Sequence, residues 1–135
     1  MNFWIMKSEP DVFSIEQLEK IKKSAWDGVR NYQVRNMFRD DMRIGDMAYF
    51  YHSSCDQIGI AGLMKIVSKS YPDPTFKEEK NPWLVVDVQF VAKFPKIISR
   101  SDLQTTFALK KLKILEKGCR LSVTRITQKE FEVIK

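Results

Sequence analysis

The stretch WDGVRNYQVRN at residues 26–36 concentrates planar, hydrogen-bonding side chains around an Asp27-Gly28 turn signal. After the turn, residues 31–39 have the spacing of a short helix with an apolar face of Val34, Met37 and Phe38. At about 100° per residue, the opposite side of that helix carries Tyr32, Arg35, Asn36 and Arg39. This face is polar, planar and basic.

Signatures of catalysis are missing from the sequence. It contains no GxSxG, HExxH, GxGxxG or GxxxxGK[ST] motif, and it has only five glycines. The single histidine, His52, stands late in a predicted strand, where such a residue is more often a structural hydrogen-bonding group. Glu78 and Glu79 lie in a lysine-flanked loop and have the character of solvated residues. The remaining chemistry is recognition, and we expect no catalytic residue, metal site or cofactor.

The positive charge is concentrated in one segment. The chain has a formal net charge of +6, and between Lys93 and Arg125 nine Lys/Arg face only Asp102 and Glu116, a balance of +7. Residues 1–92 hold 12 basic and 13 acidic groups, a balance of −1. A phosphate-facing surface has this distribution, and a lysine-rich solvated face is the alternative.

Length and composition indicate one globular domain covering residues 1–135. An apolar content of 44% is enough for a core. The apolar opening NFWIM is interrupted by Lys7 and Glu9, and no later apolar run reaches membrane-spanning length. Cys55 and Cys119 lie in no metal or disulfide spacing, so we expect free thiols and a cytoplasmic protein without membrane contact.

The first helix is predicted by its cap. Ser14 reads as the N-cap and Gln17 as its capping-box partner, while Ile15, Leu18 and Ile21 form a stripe expected to be buried. Further helices are predicted at 99–105 and after Thr127, where Glu130 occupies the capping-box position.

The rest of the chain is rich in strands, predicted at 2–7, 47–53, 59–71, 83–94 and 121–126. Gly59 and Gly62 indicate a bend or a close backbone approach. In the clearest strand, a set of apolar residues alternates onto one face: Leu84, Val86, Val88, Phe90, Ala92 and Phe94. Helices and strands alternate irregularly along the chain, and strands dominate its middle. This order favours the α+β class, as a strongly curved sheet or small β-barrel with flanking short helices.

Seven ordered stretches carry a resemblance to a known family. They are WIMKSEP (4–10), WDGVRNYQVRN (26–36), FYHSSC (50–55), GIAGLMKIV (59–67), YPDPT (71–75), WLVVDVQFV (83–91) and RLSVTRIT (120–127). Together they resemble the EVE domain family from about residue 3 to residue 134. The resemblance implies a PUA-like fold and a non-enzymatic reader of DNA or RNA. Such readers take up a modified base, with modified cytosine among the proposed ligands.

The resemblance also implies a ligand pocket. Trp26 is the natural stacking plane for a base, with Tyr32 as a second, and Arg30 and Arg35 would fork onto flanking phosphates. Small polar groups would pair with the edge of the base, and Lys7 with the basic segment would extend the electrostatic track. The candidate ligand-binding residues are Lys7, Ser8, Trp26, Arg30, Asn31, Tyr32, Arg35, His52 and Ser53.

Structural alternatives stand beside these roles. Trp26 is equally expected to cap the core, Arg30 to pair with Asp27, and Asn31 to cap the second helix. The segment FKEEKNP at 76–82 is shorter than the loop of many family members, which predicts a more open pocket or a different ligand.

Two other functions remain open. The first is a small enzyme acting on a nucleoside or amide, with His52, Lys7 and Glu9 as its acid and base groups. The second is an adaptor that binds a peptide in the same pocket.

Overall fold

A computed structural model of the protein describes residues 1–134. The strands are β1 (Phe3–Ser8), β2 (Lys23–Ala25), β3 (Met47–His52), β4 (Gly59–Ile66), β5 (Tyr71–Pro72), β6 (Leu84–Val85), β7 (Asp87–Ser99) and β8 (Val123–Ile126). The α-helices are α1 (Ile15–Ile21), α2 (Tyr32–Asn36), α3 (Arg100–Thr105) and α4 (Gln128–Ile134). A π-helical turn, Met37–Asp41, continues α2, and two 3-10 turns lie at Phe107–Leu109 and Lys113–Leu115.

Six strands form one mixed sheet in the order β2-β7-β4-β3-β1-β8, and β5 pairs with β6 in a separate ribbon. β1 and β3 run parallel, while the other neighbours are antiparallel. The sheet curls into a half barrel with the short helices beside it. This confirms the predicted α+β, PUA-like architecture; that residues 1–135 make a single domain stays a prediction.

Both faces of the sheet are covered, and successive residues of the central strands enter different cores. Trp4 and Phe50 belong to the first core, which α1 closes with Ile15. Ile5 and Tyr49 belong to the second core, closed by α4. Two-sided burial explains why the central strands lack the polar alternation of a sheet with one wet face.

The predicted start of α1 is confirmed, but the prediction of its buried face is wrong at Ile21. Ser14 Oγ accepts from Gln17 N at 3.2 Å and Gln17 Oε1 accepts from Ser14 N at 2.7 Å. Ile15 and Leu18 are buried, but Ile21 is 54% exposed. The reason is that the helix ends at Ile21 and Lys22, with φ of 71°, turns the chain into the unpredicted edge strand β2.

The longest predicted strand differs from expectation in which face its residues occupy. Phe90 pairs with Met64 and Ala92 with Leu63, so Val91 is an extra, bulged residue. As a result Phe90 packs on the first core and Phe94 on the second, although they are in the same phase in sequence. The predicted strand also breaks between β6 and β7, and β7 continues to Ser99.

Gly62 marks the close approach that its position predicted. A Cβ there would lie 2.5 Å from Ala92 O and 2.7 Å from Ile15 Cδ1. Helix α1 therefore rests directly on the sheet backbone at this point.

The last strand and helix close the sheet beside β1. β8 pairs antiparallel with β1, and Arg125 Nη2 donates to Asn2 Oδ1 at 2.7 Å across 123 positions. The predicted capping box of α4 is confirmed by Thr127 N to Glu130 Oε1 at 2.8 Å and Glu130 N to Thr127 Oγ1 at 3.0 Å.

Cys55 and Cys119 are free thiols, as expected. Among the helices of residues 1–134, none has the length and apolar character needed to span a bilayer. The cytoplasmic location stays a prediction.

Candidate functional site

A cavity of about 600 Å³ opens beside the end of β1. One side, here called the turn wall, is formed by residues 24–31, which comprise the end of β2 and the connection to α2. Another side, here called the strand wall, is formed by Lys7, Ser8, Arg120 and Ser122, where β1 meets the segment before β8. Val12 and Phe13 complete the lining.

Trp26 belongs to both the core and the cavity. Its side chain is only 6% exposed, and its ring meets Phe13 and Phe50 edge-on with centroids 6.2 and 5.3 Å away. The backbone N–H of Trp26 donates to Val86 O at 2.8 Å. The core packing and the cavity lining expected for this residue therefore occur together in one rigidly held aromatic.

Asn31 also combines two positions. Its Oδ1 accepts from Val34 N at 3.0 Å, so it caps α2 as the structural alternative predicted. It lines the cavity as well, and its Nδ2 makes no hydrogen bond within residues 1–134.

Arg30 lines the cavity but is paired differently from expectation. Its Nη1 lies 2.9 Å from Asp73 Oδ2, so the predicted pair with Asp27 is wrong. Its Nη2 donates to Thr75 Oγ1 at 3.3 Å, and its guanidinium stands 5.3 Å from the Phe76 ring centroid. The pairing follows from position, because Asp73 is buried behind the turn while Asp27 is exposed on the turn itself.

Asp73 is the centre of this network. It accepts from Gly28 N at 2.9 Å through Oδ2, and from Thr75 N and Oγ1 at 2.8 and 2.6 Å through Oδ1. Burial would raise the pKa of its carboxyl, but hydrogen bonds from Thr75, Arg30 and Gly28 lower it to about 2. Gly28 has φ of +78°, a conformation that favours glycine. One buried carboxylate thus holds both the backbone and a side chain of the turn wall.

The short 76–82 segment supports the turn wall from outside the cavity. Asn81 Nδ2 donates to Asp73 O at 2.8 Å, and Asn81 Oδ1 accepts from Trp83 N at 2.9 Å. Trp83 then contacts Tyr32, with ring centroids 4.7 Å apart. None of residues 76–82 lines the cavity. A more open ligand site remains a prediction.

Tyr32 and Arg35 lie outside the cavity lining. Tyr32 is 57% exposed, with the Arg35 guanidinium 5.0 Å from its ring centroid. Arg35 Nε and Nη2 donate to Asn36 Oδ1 at 3.1 and 2.9 Å, and Nη1 to Pro82 O at 3.4 Å. These two residues therefore lie on the outer surface, where Arg35 contacts Pro82 of the 76–82 segment and Tyr32 contacts Trp83.

His52 and Ser53 also lie outside the lining. His52 is buried, and its Nε2 accepts from Ile15 N at 3.1 Å, the hydrogen-bonding role expected of a lone strand histidine. Burial lowers the pKa of His52, opposed by the nearby Glu16 carboxylate. Ser53 N donates to Ser8 O at 3.0 Å, and Ser8 Oγ donates to Phe13 O at 2.7 Å. These contacts fix the end of β1 at the cavity.

The strand wall carries the cations that are not engaged elsewhere. The side chains of Lys7 and Arg120 make no hydrogen bond or ion pair within the described residues 1–134. Lys7 N donates to Ser122 O at 2.7 Å, which joins the two parts of this wall. Sequence reasoning did not single out Arg120 or Ser122; the signal was the basic segment to which Arg120 belongs. Against Lys7, Arg30 and Arg120 the cavity lining has one carboxylate, Asp27.

The half-barrel sheet with its short flanking helices is the fold of an EVE domain. The EVE domain model matches residues 2–135, and the chain belongs to the EVE domain family.

Relatives and solved structures agree with this assignment. Mouse thymocyte nuclear protein 1 is 42% identical over 164 aligned residues, covering 98% of this chain and 72% of the mouse protein. A Pseudomonas putida protein structure aligns with a TM-score of 0.92 and 44% identity, covering 98% of this chain and 96% of the other. Human thymocyte nuclear protein 1, solved in complex with DNA containing 5-methylcytosine, aligns with a TM-score of 0.88 and 39% identity, over 99% and 95% of the two chains.

Proposed function

We propose that this protein binds nucleic acid and holds one modified base, a modified cytosine such as 5-methylcytosine, in the cavity without chemical turnover. The observation that carries the proposal is the position of Trp26, an aromatic fixed by the core at the edge of a basic cavity of about 600 Å³. The human relative crystallised with 5-methylcytosine DNA supports the choice of ligand.

The cavity suits a base taken out of its stack. Small-molecule sites commonly measure ~300–1,000 Å³, and extruding a base costs a few kcal/mol that the pocket must offset. Stacking on an aromatic side chain contributes ~1–3 kcal/mol per base. Trp26 would supply this surface, and the free Asn31 Nδ2 with Ser8 would face the polar edge of the base. Tyr32 would then support the 76–82 segment through its contact with Trp83, and would not be a second stacking plane.

Within the cavity, the strand wall would supply the phosphate contacts and the turn wall would not. Arg30 is already committed to Asp73, so we infer a positioning role for it. Lys7 and Arg120 are the cavity cations free to meet the phosphates that flank the bound base. Arg35 would contact the nucleic acid only where a strand passes over the 76–82 segment.

The geometry around His52 supports binding over catalysis. An acid or base must reach the reacting proton within hydrogen-bond distance, whereas His52 is buried and accepts the Ile15 N–H. If the protein were an enzyme using this group, His52→Ala would abolish turnover while leaving a folded protein. An adaptor for apolar peptides would differ in salt response, since only phosphate-driven binding weakens steeply with salt.

The test is a titration of the protein against matched single-stranded and duplex oligonucleotides, with and without modified cytosine or adenine, at two salt concentrations. We expect tighter, salt-sensitive binding of the modified-cytosine strands. Equal affinity for modified and plain strands would contradict the reader, and salt-insensitive binding would favour the peptide site.

Variants of two tryptophans assign the stacking role. Trp26→Phe keeps an aromatic in the core but shrinks the stacking plane, so discrimination between modified and plain cytosine should fall. Trp83→Phe makes the same chemical change outside the cavity and is the matched control, with circular dichroism checking the fold of both. Unchanged discrimination in Trp26→Phe and in a folded Trp26→Ala would exclude Trp26 as the stacking plane.

A further inference from the structure

A second feature of the surface is the segment 107–120, here called the basic ledge. Three aliphatic side chains, Leu109, Leu112 and Ile114, fasten it to the second core. The residues between these anchors are exposed, and Phe107, which precedes them, is 79% exposed. The ledge is therefore anchored to the core and presents an exposed aromatic ring.

The exposed charges of the ledge are nearly all positive. Lys110, Lys111, Lys113 and Lys117 are exposed, and none forms an ion pair within residues 1–134. Lys110 Nζ stands 4.2 Å from the centroid of the Phe107 ring, so a cation lies over the aromatic. Glu116 is the one acid of the ledge.

The ledge leads along the chain into the cavity. Its last residue, Arg120, belongs to the strand wall. Arg120 therefore places one end of the ledge at the cavity, next to any strand whose base enters it. Isolated exposed apolar residues are common on protein surfaces, but an aromatic among unpaired lysines matches the pattern of single-strand binding sites.

We propose that the basic ledge binds an unpaired stretch of the strand that flanks the base held in the cavity. Phe107 stacks on one base of that stretch, and the lysines contact its phosphates. This rests on the proposed function of the cavity and adds a second contact surface, with a preference for single-stranded over duplex flanks.

The first test removes three ledge charges together, Lys110→Ala, Lys111→Ala and Lys113→Ala. The matched control removes three exposed lysines from residues 1–92, where the charges nearly balance: Lys20→Ala, Lys65→Ala and Lys69→Ala. Both are titrated with a modified-cytosine single strand of about 12 nucleotides, within known single-strand site sizes of ~4–16. A modified trinucleotide is the short comparison.

The ledge variant should bind the long strand at least tenfold more weakly, alike for modified and plain cytosine. The slope of log affinity against log salt should be shallower by about 2, because each of the three removed lysines contributes ~0.7 to the slope through one phosphate contact. Trinucleotide binding should stay unchanged. Equal losses in the control, or wild-type affinity in the ledge variant, would overturn the ledge alone. No binding by the unaltered protein would contradict the cavity proposal, and the ledge proposal with it.

The second test isolates the ring. Phe107→Leu keeps an apolar side chain at an exposed position and should leave the fold intact. We expect affinity for the long single strand to fall about fivefold or more, and the quenching of a 2-aminopurine base in the flank to be lost. An equal loss on duplex DNA, or quenching that persists in the variant, would overturn the stacking assignment.

Discussion

The turn wall and the strand wall of the cavity are both basic, yet they hold their charge differently. In the turn wall, Arg30 donates to Asp73 and Thr75 and is fixed from behind. In the strand wall, Lys7 and Arg120 have no partner among the described residues. The comparison shows that a cation at the edge of a site can have one of two roles. A cation paired within the protein fixes the shape of the wall, and an unpaired cation remains available to attract a negatively charged ligand.

This division has a physical advantage for a binding site. Ordering a long side chain on binding costs ~0.5–1.5 kcal/mol, which the turn wall has already met during folding. The unpaired cations of the strand wall keep their freedom and adjust to phosphates that vary in position. A turn wall fixed by Asp73 and a strand wall with unpaired cations would suit the proposed ligand, one specific base on a flexible backbone.

The largest expected effect comes from removing the centre of the turn wall. Asp73→Ala leaves Arg30, Gly28 N and Thr75 without their shared acceptor, so the free energy of unfolding should fall by about 3 kcal/mol. Denaturant unfolding measures this loss. Asp56→Ala, at an exposed position, is the control and should change stability by less than about 0.5 kcal/mol. A loss below about 1 kcal/mol in Asp73→Ala would show that the network does not stabilise the wall.

Acid should weaken the same wall. The folded pKa of Asp73, about 2, lies below the ordinary value, so the carboxylate stabilises the fold above about pH 4. That contribution, roughly 2 kcal/mol, is lost as pH falls through the folded pKa. Unfolding measured at about pH 6 and about pH 2.5 should therefore show a smaller drop in Asp73→Asn than in the unaltered protein. Identical drops would mean that Asp73 titrates normally.

A matched pair of arginines contrasts the two walls directly. Arg30→Ala should lower stability by about 1 kcal/mol with little change in the salt dependence of binding, because its guanidinium is internally paired. Arg120→Ala should leave stability within about 0.5 kcal/mol but make the salt dependence shallower by ~0.7–0.9. Denaturant unfolding and oligonucleotide titration separate the effects. The reverse pattern would exchange the roles assigned to the two walls.

The smallest effect is expected outside both walls. Arg35→Ala removes surface hydrogen bonds to Asn36 and Pro82 and should change stability and affinity by less than about 0.5 kcal/mol. Arg39→Ala, which removes an exposed pair with Asp40, is the companion variant. A loss of affinity in Arg35→Ala but not in Arg39→Ala would show that Arg35 contacts a phosphate.

Local patterns in the sequence predicted local structure well. The capping boxes at Ser14 and Thr127 occur as expected, because each involves residues three positions apart. The resemblance to EVE domains predicted the fold, which periodicity alone narrowed only to a curved α+β sheet. The Val91 bulge escaped prediction, since pairing with β4, and not the alternation of β7, decides which face each residue takes.

The candidate site was predicted in part, for a similar reason. Residues 26 and 31 line the cavity, and both also hold the fold, a double use that the sequence left as alternatives. The Arg30 pair with Asp73 spans 43 positions and required the tertiary fold to be known. Arg120 reaches the cavity only because β8 pairs with β1, so nothing near it in sequence marks its position.

The pairing of β1 with β8 has a consequence for how the chain folds. The contact between Arg125 and Asn2 joins positions 123 apart, and β1 lies between two partners, β3 and β8. Contacts of such high sequence separation slow folding, because the intervening chain must be ordered before they form. Until β8 arrives, β1 is an unprotected edge with open hydrogen-bonding groups. We therefore expect a slow step of folding, the pairing of β8 with β1, both to complete the strand wall and to cover the open edge of β1.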